Sequence, residues 1–268
     1  NVSAFWLLFF RKSCPLLLHW HADVVASPID RKMGVLYNFY KPWELLLVKK
    51  ADKVIATSGS YLNASRLLSG FLRKTGVIPL GINPGRLADS HAGSRPAASD
   101  KGFNVLSVGR FAYYKGLEYV VQAAEKLPDV QFVIVGDGPR YFEIKKLVCQ
   151  KGLQGRVQLA GQVKAEQLRK LFLDCDLCCL PSLERTESFG VVLLEAMSLG
   201  KPLVTTKIPG SGVSEVNVHG TTGLQVPPAD ADALASVIDD MRKDLSACRQ
   251  MGEAARRRFE THFHISTV

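Results

Sequence analysis

Between residues 100 and 226 one rhythm repeats: a short apolar run rich in Val, Leu and Ile, then a longer amphipathic stretch. The apolar runs fall at 103–108, 131–135, 157–159, 177–180 and 203–205, with a weaker one at 223–226. Helical patterns occupy 117–126, 140–151, 165–174 and 191–199 between them. No other feature narrows the fold as far. Alternating strands and helices need right-handed crossovers, which lay the strands parallel and cover both faces of the sheet. Strands buried on both faces read as continuous apolar runs, as these do. Asp230 or Asp232 is placed to start a further helix towards Met241, and a basic helix over 249–259 follows.

The first 80 residues are less regular. Strands are expected at 15–19, 53–57 and 77–80, and helices at 36–50 and 60–69. That is α/β again, but only about half of a doubly wound domain. Residues 80–101 carry Gly, Pro, Ser, Asn and Ala without apolar periodicity, the composition of a linker. The predicted division is an incomplete N-terminal unit over 1–82, a linker over 83–100, a complete unit over 101–245 and a terminal helix, cut short, over 246–268.

Composition excludes several classes. With 47% hydrophobic and 22% charged residues the chain is ordinary globular material. Its longest apolar run, 2–10, is far short of the roughly 20 residues a membrane-spanning helix needs. No charged start or small-residue cleavage site flanks that run, so no secretory signal is expected. The net charge of +9 suits an anionic partner without choosing among phosphorylated small molecules, anionic membranes and nucleic acid. Cys175 and Cys178 have the C-x-x-C spacing that opens some zinc sites, but no second pair follows. Cys175, Cys178 and Cys179 are read instead as apolar residues at and in a buried strand, reduced in the cell. The chain begins at Asn1 rather than Met, which predicts an incomplete start.

Ligands of such sheets bind beyond the carboxyl ends of the strands, so the loops there are the places to look for chemistry. The first reads Gly109-Arg110-Phe111-Ala112-Tyr113-Tyr114-Lys115-Gly116. Arg110 can fork two hydrogen bonds onto a phosphate and Lys115 supplies a point charge; a solvated basic loop is the plainer reading. Gly136-Asp137-Gly138-Pro139 starts like a dinucleotide fingerprint, but position 141 is Tyr where a third glycine belongs. A tight turn with Pro139 opening the helix is expected there. The richest segment is P-S-L-E-R-T-E-S-F-G-V-V-L-L-E-A-M, from Pro181 to Met197. Ser188 is placed to cap the helix and Gly190 to let a ligand approach its first turn, an anion site by its free N–H groups. Glu187 and Glu195 are separated by at most about 12 Å of helical rise, the scale of a nucleotide sugar with its diphosphate between two hydroxyl-binding carboxylates. Two surface acids on a helix would look the same.

Taken in order, these motifs resemble the retaining glycosyltransferases of family four, which have the GT-B fold. The resemblance rests on Val108-Gly109-Arg110 with Lys115-Gly116, then Gly136-Asp137-Gly138-Pro139, the Glu187/Glu195 E-x₇-E pair, Gly200-Lys201-Pro202, Gly212 with Glu215, and Gly220 to Gly223. Leu80-Gly81-Ile82-Asn83 is similar to the family's entry into its interdomain linker. The match covers 101–240. It implies an α/β, GT-B-like chain of two Rossmann-like domains with parallel sheets, the N-terminal, acceptor-side one incomplete. Arg110 and Lys115 would then hold the donor diphosphate and Glu187 the donor-sugar hydroxyls. Gly109 and the backbone around Ser188, Phe189, Gly190 and Val191 would contact phosphate or sugar, Glu195 the ribose, and Val163 the base. His21, in the H-S-D-like segment His19-Trp20-His21-Ala22-Asp23, would face the sugar or acceptor, although capping and turn roles suit His19 and Asp23 equally. The glycine-rich loop that opens the family's first domain is missing.

The implied activity is transfer of a hexosyl unit from a UDP- or GDP-linked sugar to a saccharide or lipid-linked acceptor hydroxyl, with retention of configuration and without a metal or other cofactor. A cytoplasmic protein is expected, in peripheral contact with an anionic membrane through its basic surface, and without a nucleic-acid role. A dinucleotide-binding oxidoreductase module and a non-catalytic interaction fragment are the alternatives.

Overall fold

The computed structural model describes residues 6–9, 14–23, 31–85 and 102–268, with the side chains of 31–36 and 38 left aside. The apolar run 2–10 and the linker 83–100 fall largely outside these residues. In the N-terminal part, β1 (Leu17–Trp20), α1 (Arg31–Lys50), β2 (Lys53–Ala56), α2 (Gly59–Ala64), a 3-10 helix (Leu68–Lys74) and β3 (Thr75–Val77) follow in turn. The three strands are parallel in the order β1-β2-β3. Alternate strand residues turn inward, so Leu18, Trp20, Val54 and Ala56 pack with Leu47 and Val48 of α1 and with Tyr61, Leu62 and Leu68.

The first strand runs over Leu17–Trp20 where 15–19 was expected, and α1 starts at Arg31, ahead of the expected 36; two further expectations shift for tertiary reasons. The helix expected over 60–69 stops at Ser65, which is extended. The Ser65 hydroxyl donates to Asp23 Oδ1 at 3.1 Å and accepts from the Leu68 N–H at 3.3 Å, so the chain leaves the helix to meet a distant carboxylate. The strand expected at 77–80 starts earlier, at Thr75. Lys74 Nζ is held by the carbonyls of Val48, Lys49 and Ala51 at the end of α1, which ties the chain down beside β2 two residues sooner.

The C-terminal part follows the predicted alternation: β4 (Phe103–Val108), α3 (Leu117–Lys126), β5 (Val130–Val135), α4 (Tyr141–Gln150), β6 (Val157–Gly161), α5 (Ala165–Asp174) and β7 (Leu177–Leu180). Then come α6 (Val191–Ser198), β8 (Leu203–Thr206), α7 (Val213–Val216), β9 (Gly223–Val226), α8 (Ala231–Lys243) and α9 (Leu245–His262). All six strands are parallel in the order β6-β5-β4-β7-β8-β9. Two cores cover the sheet. Val120 and Val121 of α3, Ile144 and Val148 of α4 and Leu234 and Ile238 of α8 pack with Val105 and Phe132. Leu193, Leu194 and Met197 of α6, Phe172 of α5 and Phe259 of α9 pack with Leu106 and Cys178. Burial pushes the Cys175 and Cys179 thiols up to about 12, so they behave as apolar packing groups.

Three helix starts are settled by the fold, and two of them depart from expectation. Pro139 does not open α4, which begins at Tyr141 after Gly138 has turned the chain. Asp230, not Asp232, caps α8 by accepting from the Ala233 N–H at 2.8 Å, while Asp232 pairs with Lys126. Asp244 caps α9 in the same way, so that helix runs well beyond the expected 249–259 at both ends. No helix among the described residues is long and apolar enough to cross a membrane.

Candidate active site

The strand order reverses between β4 and β7, and the loops leaving such neighbours diverge to form a crevice. Three loops meet there. Gly109, after β4, donates its N–H to Val135 O at 2.9 Å, and Phe111 N–H donates to Asp137 O at 2.9 Å. These bonds press the β4 and β5 loops together. Gly136 makes the contact possible: its φ is +133°, and a Cβ there would stand 2.0 Å from the Gly109 carbonyl oxygen.

Gly109 in turn leaves room for Lys115, whose Cδ, Cε and Nζ lie 3.3–3.4 Å from where its Cβ would be. The Lys115 ammonium therefore crosses the crevice floor and meets Glu187 Oε2 at 2.5 Å, with both side chains only 11% exposed. Ser182, at the end of β7, donates its hydroxyl to the same carboxylate oxygen at 3.0 Å. A buried carboxylate with two partners is a fixed acceptor. The pair ties the β4 loop to the β7 loop across the switch point.

Beyond Glu187 the chain is held from behind. Ser211 Oγ donates to the Glu187 carbonyl, and Gly212 N–H donates to Ser188 O at 2.8 Å. The expected capping role of Ser188 is therefore wrong. Gly190, at φ +80°, occupies the cap position, and no side chain caps α6. With the carbonyl of Ser188 occupied and its side chain off the helix, the first turn of α6 begins on bare backbone. Glu195 lies half-buried within α6, one turn after its start, and burial raises its carboxyl above the usual range.

Thus the fold brings Lys115, Glu187 and Gly109 into contact and sets Ser188, Gly190 and Val191 on the same loop, with Val191 exposed. Phe189 is buried, packing edge-on against Phe263 at 5.9 Å, so only its backbone is available to a ligand. Val163 packs partly into the second core. Arg110 is exposed on the β4 loop, and His21 is exposed with its ring 4.3 Å from that of His19. Among the described residues no hydrogen bond or ion pair joins Arg110 or His21 to the Lys115–Glu187 pair.

Sequence reading missed Ser182, Arg185 and the contacts of Glu215. Ser182 stands in the quoted segment, five residues before Glu187, and a polar side chain directly after an apolar strand is the signal that points to it. Arg185 and Glu215 act on residues more than 100 positions away, for which a single sequence carries no signal.

Comparison with known proteins shows the family and the fold. Residues 94–258 match the family model described as Glycosyl transferases group 1. The chain is 33% identical to the O-antigen chain mannosyltransferase C of Escherichia coli over 256 residues, covering 94% of this chain and 66% of that protein. It is 30% identical to the D-rhamnosyltransferase WbpZ of Pseudomonas aeruginosa over 253 residues, 93% of this chain and 64% of that one. The chain therefore spans a little less than two thirds of each of these two relatives. Among solved structures, HepE of Anabaena in complex with UDP superposes with a TM-score of 0.79 at 26% identity, over 94% of this chain and 69% of that one. Sucrose-phosphate synthase of Thermosynechococcus elongatus superposes with a TM-score of 0.80 at 28% identity, over 99% of this chain and 68% of that one. The α/β architecture with parallel sheets is that of GT-B glycosyltransferases.

Proposed function

The chain belongs to the Glycosyl transferases group 1 family, and on that premise we propose that it transfers a hexosyl unit from a nucleotide-diphosphate sugar to a saccharide hydroxyl with retention of configuration. The observation that carries this reading is the buried Lys115–Glu187–Ser182 cluster at the switch point of the six-stranded sheet. The UDP held by the similar HepE supports a nucleoside diphosphate as ligand; the names of the two curated relatives, a mannosyltransferase and a D-rhamnosyltransferase, support a hexosyl sugar, and the O-antigen chain in the first name supports a saccharide acceptor.

In this mechanism the anomeric C–O bond to the diphosphate breaks as the acceptor oxygen bonds to the same face of the sugar. The acceptor proton passes to the leaving phosphate oxygen. Charge grows on the diphosphate, and Lys115, Arg110 and the backbone start of α6 stabilise it. Glu187 orients the sugar through its hydroxyls, Glu195 accepts from the ribose, and Val163 lines the base. Gly109, Ser188, Phe189, Gly190 and Val191 offer backbone, and His21 faces the sugar from the N-terminal side. No side chain serves as a covalent nucleophile, and the reading needs no metal or other cofactor. The same reading puts the protein in the cytoplasm against an anionic leaflet. Exposed Phe39, Trp43 and Leu46 on α1, beside Lys41 and Lys49, support that contact.

A thermal-shift screen with UDP, GDP, their mannose and glucose conjugates and NAD tests the site, repeated on Glu195→Ala. Stabilisation by one nucleoside diphosphate, lost in the variant, is the expected result. Stabilisation by NAD alone sinks the transferase reading in favour of an oxidoreductase. Co-sedimentation that ignores the anionic lipid content of vesicles removes the membrane contact.

A further inference from the structure

Two segments of the larger sheet, one after β7 and one after β8, also reach towards the N-terminal part. From the loop after β7, Arg185 donates one guanidinium nitrogen to Ala64 O and the other to Asp23 Oδ2, each at 2.9 Å. Its guanidinium carbon lies 4.7 Å from the centre of the Tyr61 ring. From α7, the short helix after β8, Glu215 accepts the N–H groups of Gly59 at 3.3 Å and Ser60 at 2.5 Å. Gly59, Tyr61 and Ala64 all belong to α2. This short helix is thus held at both ends by opposite charges. The acid satisfies N–H groups that have no partner within the helix, and the cation satisfies a terminal carbonyl.

The contact is tight and continuous with the site. A Cβ on Gly210 would meet Ala64 Cβ at 2.4 Å, and one on Gly212 would meet Ser58 Oγ at 2.8 Å. Arg185 stands two residues before Glu187. Ser211 and Gly212, on the loop that leads into α7, hold the carbonyls of Glu187 and Ser188. Glu215 is braced from α9, where Arg258 donates to its backbone carbonyl at 2.6 Å. On the other side, Asp23 collects the Trp20 indole N–H at 2.8 Å, the Ser65 hydroxyl and Arg185, and its own N–H donates to the Tyr61 hydroxyl. That carboxylate anchors the segment carrying His21.

We propose that Arg185 and Glu215 are positioning residues that clamp α2 and the His19–Asp23 segment in one register against Glu187, so that groups from both sheets face the donor sugar together. This rests on the transferase reading for its kinetic consequence, but not for its structural one. Neither residue is assigned a contact with the donor. Their loss therefore misaligns the reacting groups while leaving the nucleotide site in the six-stranded sheet intact.

The test uses Arg185→Ala, Arg185→Lys, Glu215→Ala and Glu215→Gln in the full chain, with three readouts: UDP and GDP affinity, transfer kinetics, and hydrogen exchange of the α2 amides. In both alanine variants kcat is expected to fall by about tenfold or more while nucleoside diphosphate affinity stays within about twofold. The Gly59–Ala64 amides exchange faster. Glu215→Gln, which keeps an oxygen acceptor, restores most of kcat. Arg185→Lys does not, because a single ammonium lacks the planar fork that spans Ala64 O and Asp23. Unchanged α2 exchange or kcat in both alanine variants overturns the proposal. So does an affinity loss as large as the kcat loss, which would place these residues in donor binding. If the wild-type protein transfers no sugar from any donor, the transferase reading fails, and α2 exchange alone decides whether the clamp exists.

Discussion

The two sheets of this protein are built from the same kind of strand and differ in how much each covers. In the six-stranded sheet every residue of β7 and β8 is buried, and helices close over both faces. Among the described residues the three-stranded sheet has one core, and Leu17, Val77 and Ile78 are exposed along it. The difference separates two jobs. The covered sheet is rigid enough to hold a buried ion pair at its switch point. The smaller sheet meets the larger one through polar contacts that Arg185 and Glu215 make with α2 and Asp23.

The largest effect expected from a substitution falls on chemistry at the covered sheet. Glu187→Ala should lower turnover by a factor on the order of 10² to 10³, as the loss of one preorganised polar group commonly does. Initial rates with labelled donor measure it, and near-wild-type turnover would remove Glu187 from its role. Glycines give the next contrast. Gly136→Ala, with its Cβ forced onto the Gly109 carbonyl at positive φ, should cost about 3 kcal/mol or more in urea unfolding. Gly76→Ala in β3 meets nothing within 4 Å and should stay within about 0.5 kcal/mol. Equal costs at both positions would mean the two sheets are equally constrained.

The ion pair comes next. Lys115→Met leaves a buried carboxylate without its cation and should destabilise by about 3 kcal/mol. The double variant Lys115→Met/Glu187→Leu should regain most of that, and a strictly additive double-mutant cycle would show that the pair is not coupled. The smallest effect is a pH dependence present in both regions. Burial is the main cause that raises the carboxyls of Glu195 in the large sheet and Glu44 in the small one. A raised carboxyl favours folding below the unfolded value, near 4.5, and that contribution disappears as pH rises through the folded one. Glu195→Gln and Glu44→Gln should therefore gain stability over wild type at pH 7, and the gain should vanish near pH 4. Denaturant midpoints at the two pH values check the sign, and a gain that grows on acidification contradicts it.

Much of the large sheet was legible because most of its strands carry a short apolar run and its helices have their own period. β4, β7 and α3 lie where the pattern puts them. Errors gather where a side chain from elsewhere decides a boundary, as Asp23 does at Ser65 and the end of α1 does at Lys74. The site divides the same way. Lys115 and Glu187 stood out as residues able to meet phosphate and sugar, but not as each other's partners 72 positions apart. Ser188 was misread as a cap because its local sequence suits one, while Gly190 and the bond from Gly212 settle the matter.

What the sequence determined by itself is periodicity and composition: the alternation of strands and helices, the parallel sheet, the loops where chemistry gathers, and the ordered motifs that resemble a sugar-transferring family. These are properties of neighbouring residues, set by burial on one face or two. Only the tertiary structure decided that Lys115 rests on Gly109 to neutralise Glu187, and that Arg185 and Glu215 seize the two ends of α2. Such contacts depend on where loops from distant strands end in space, and burying a charge is tolerable only where the fold supplies its partner.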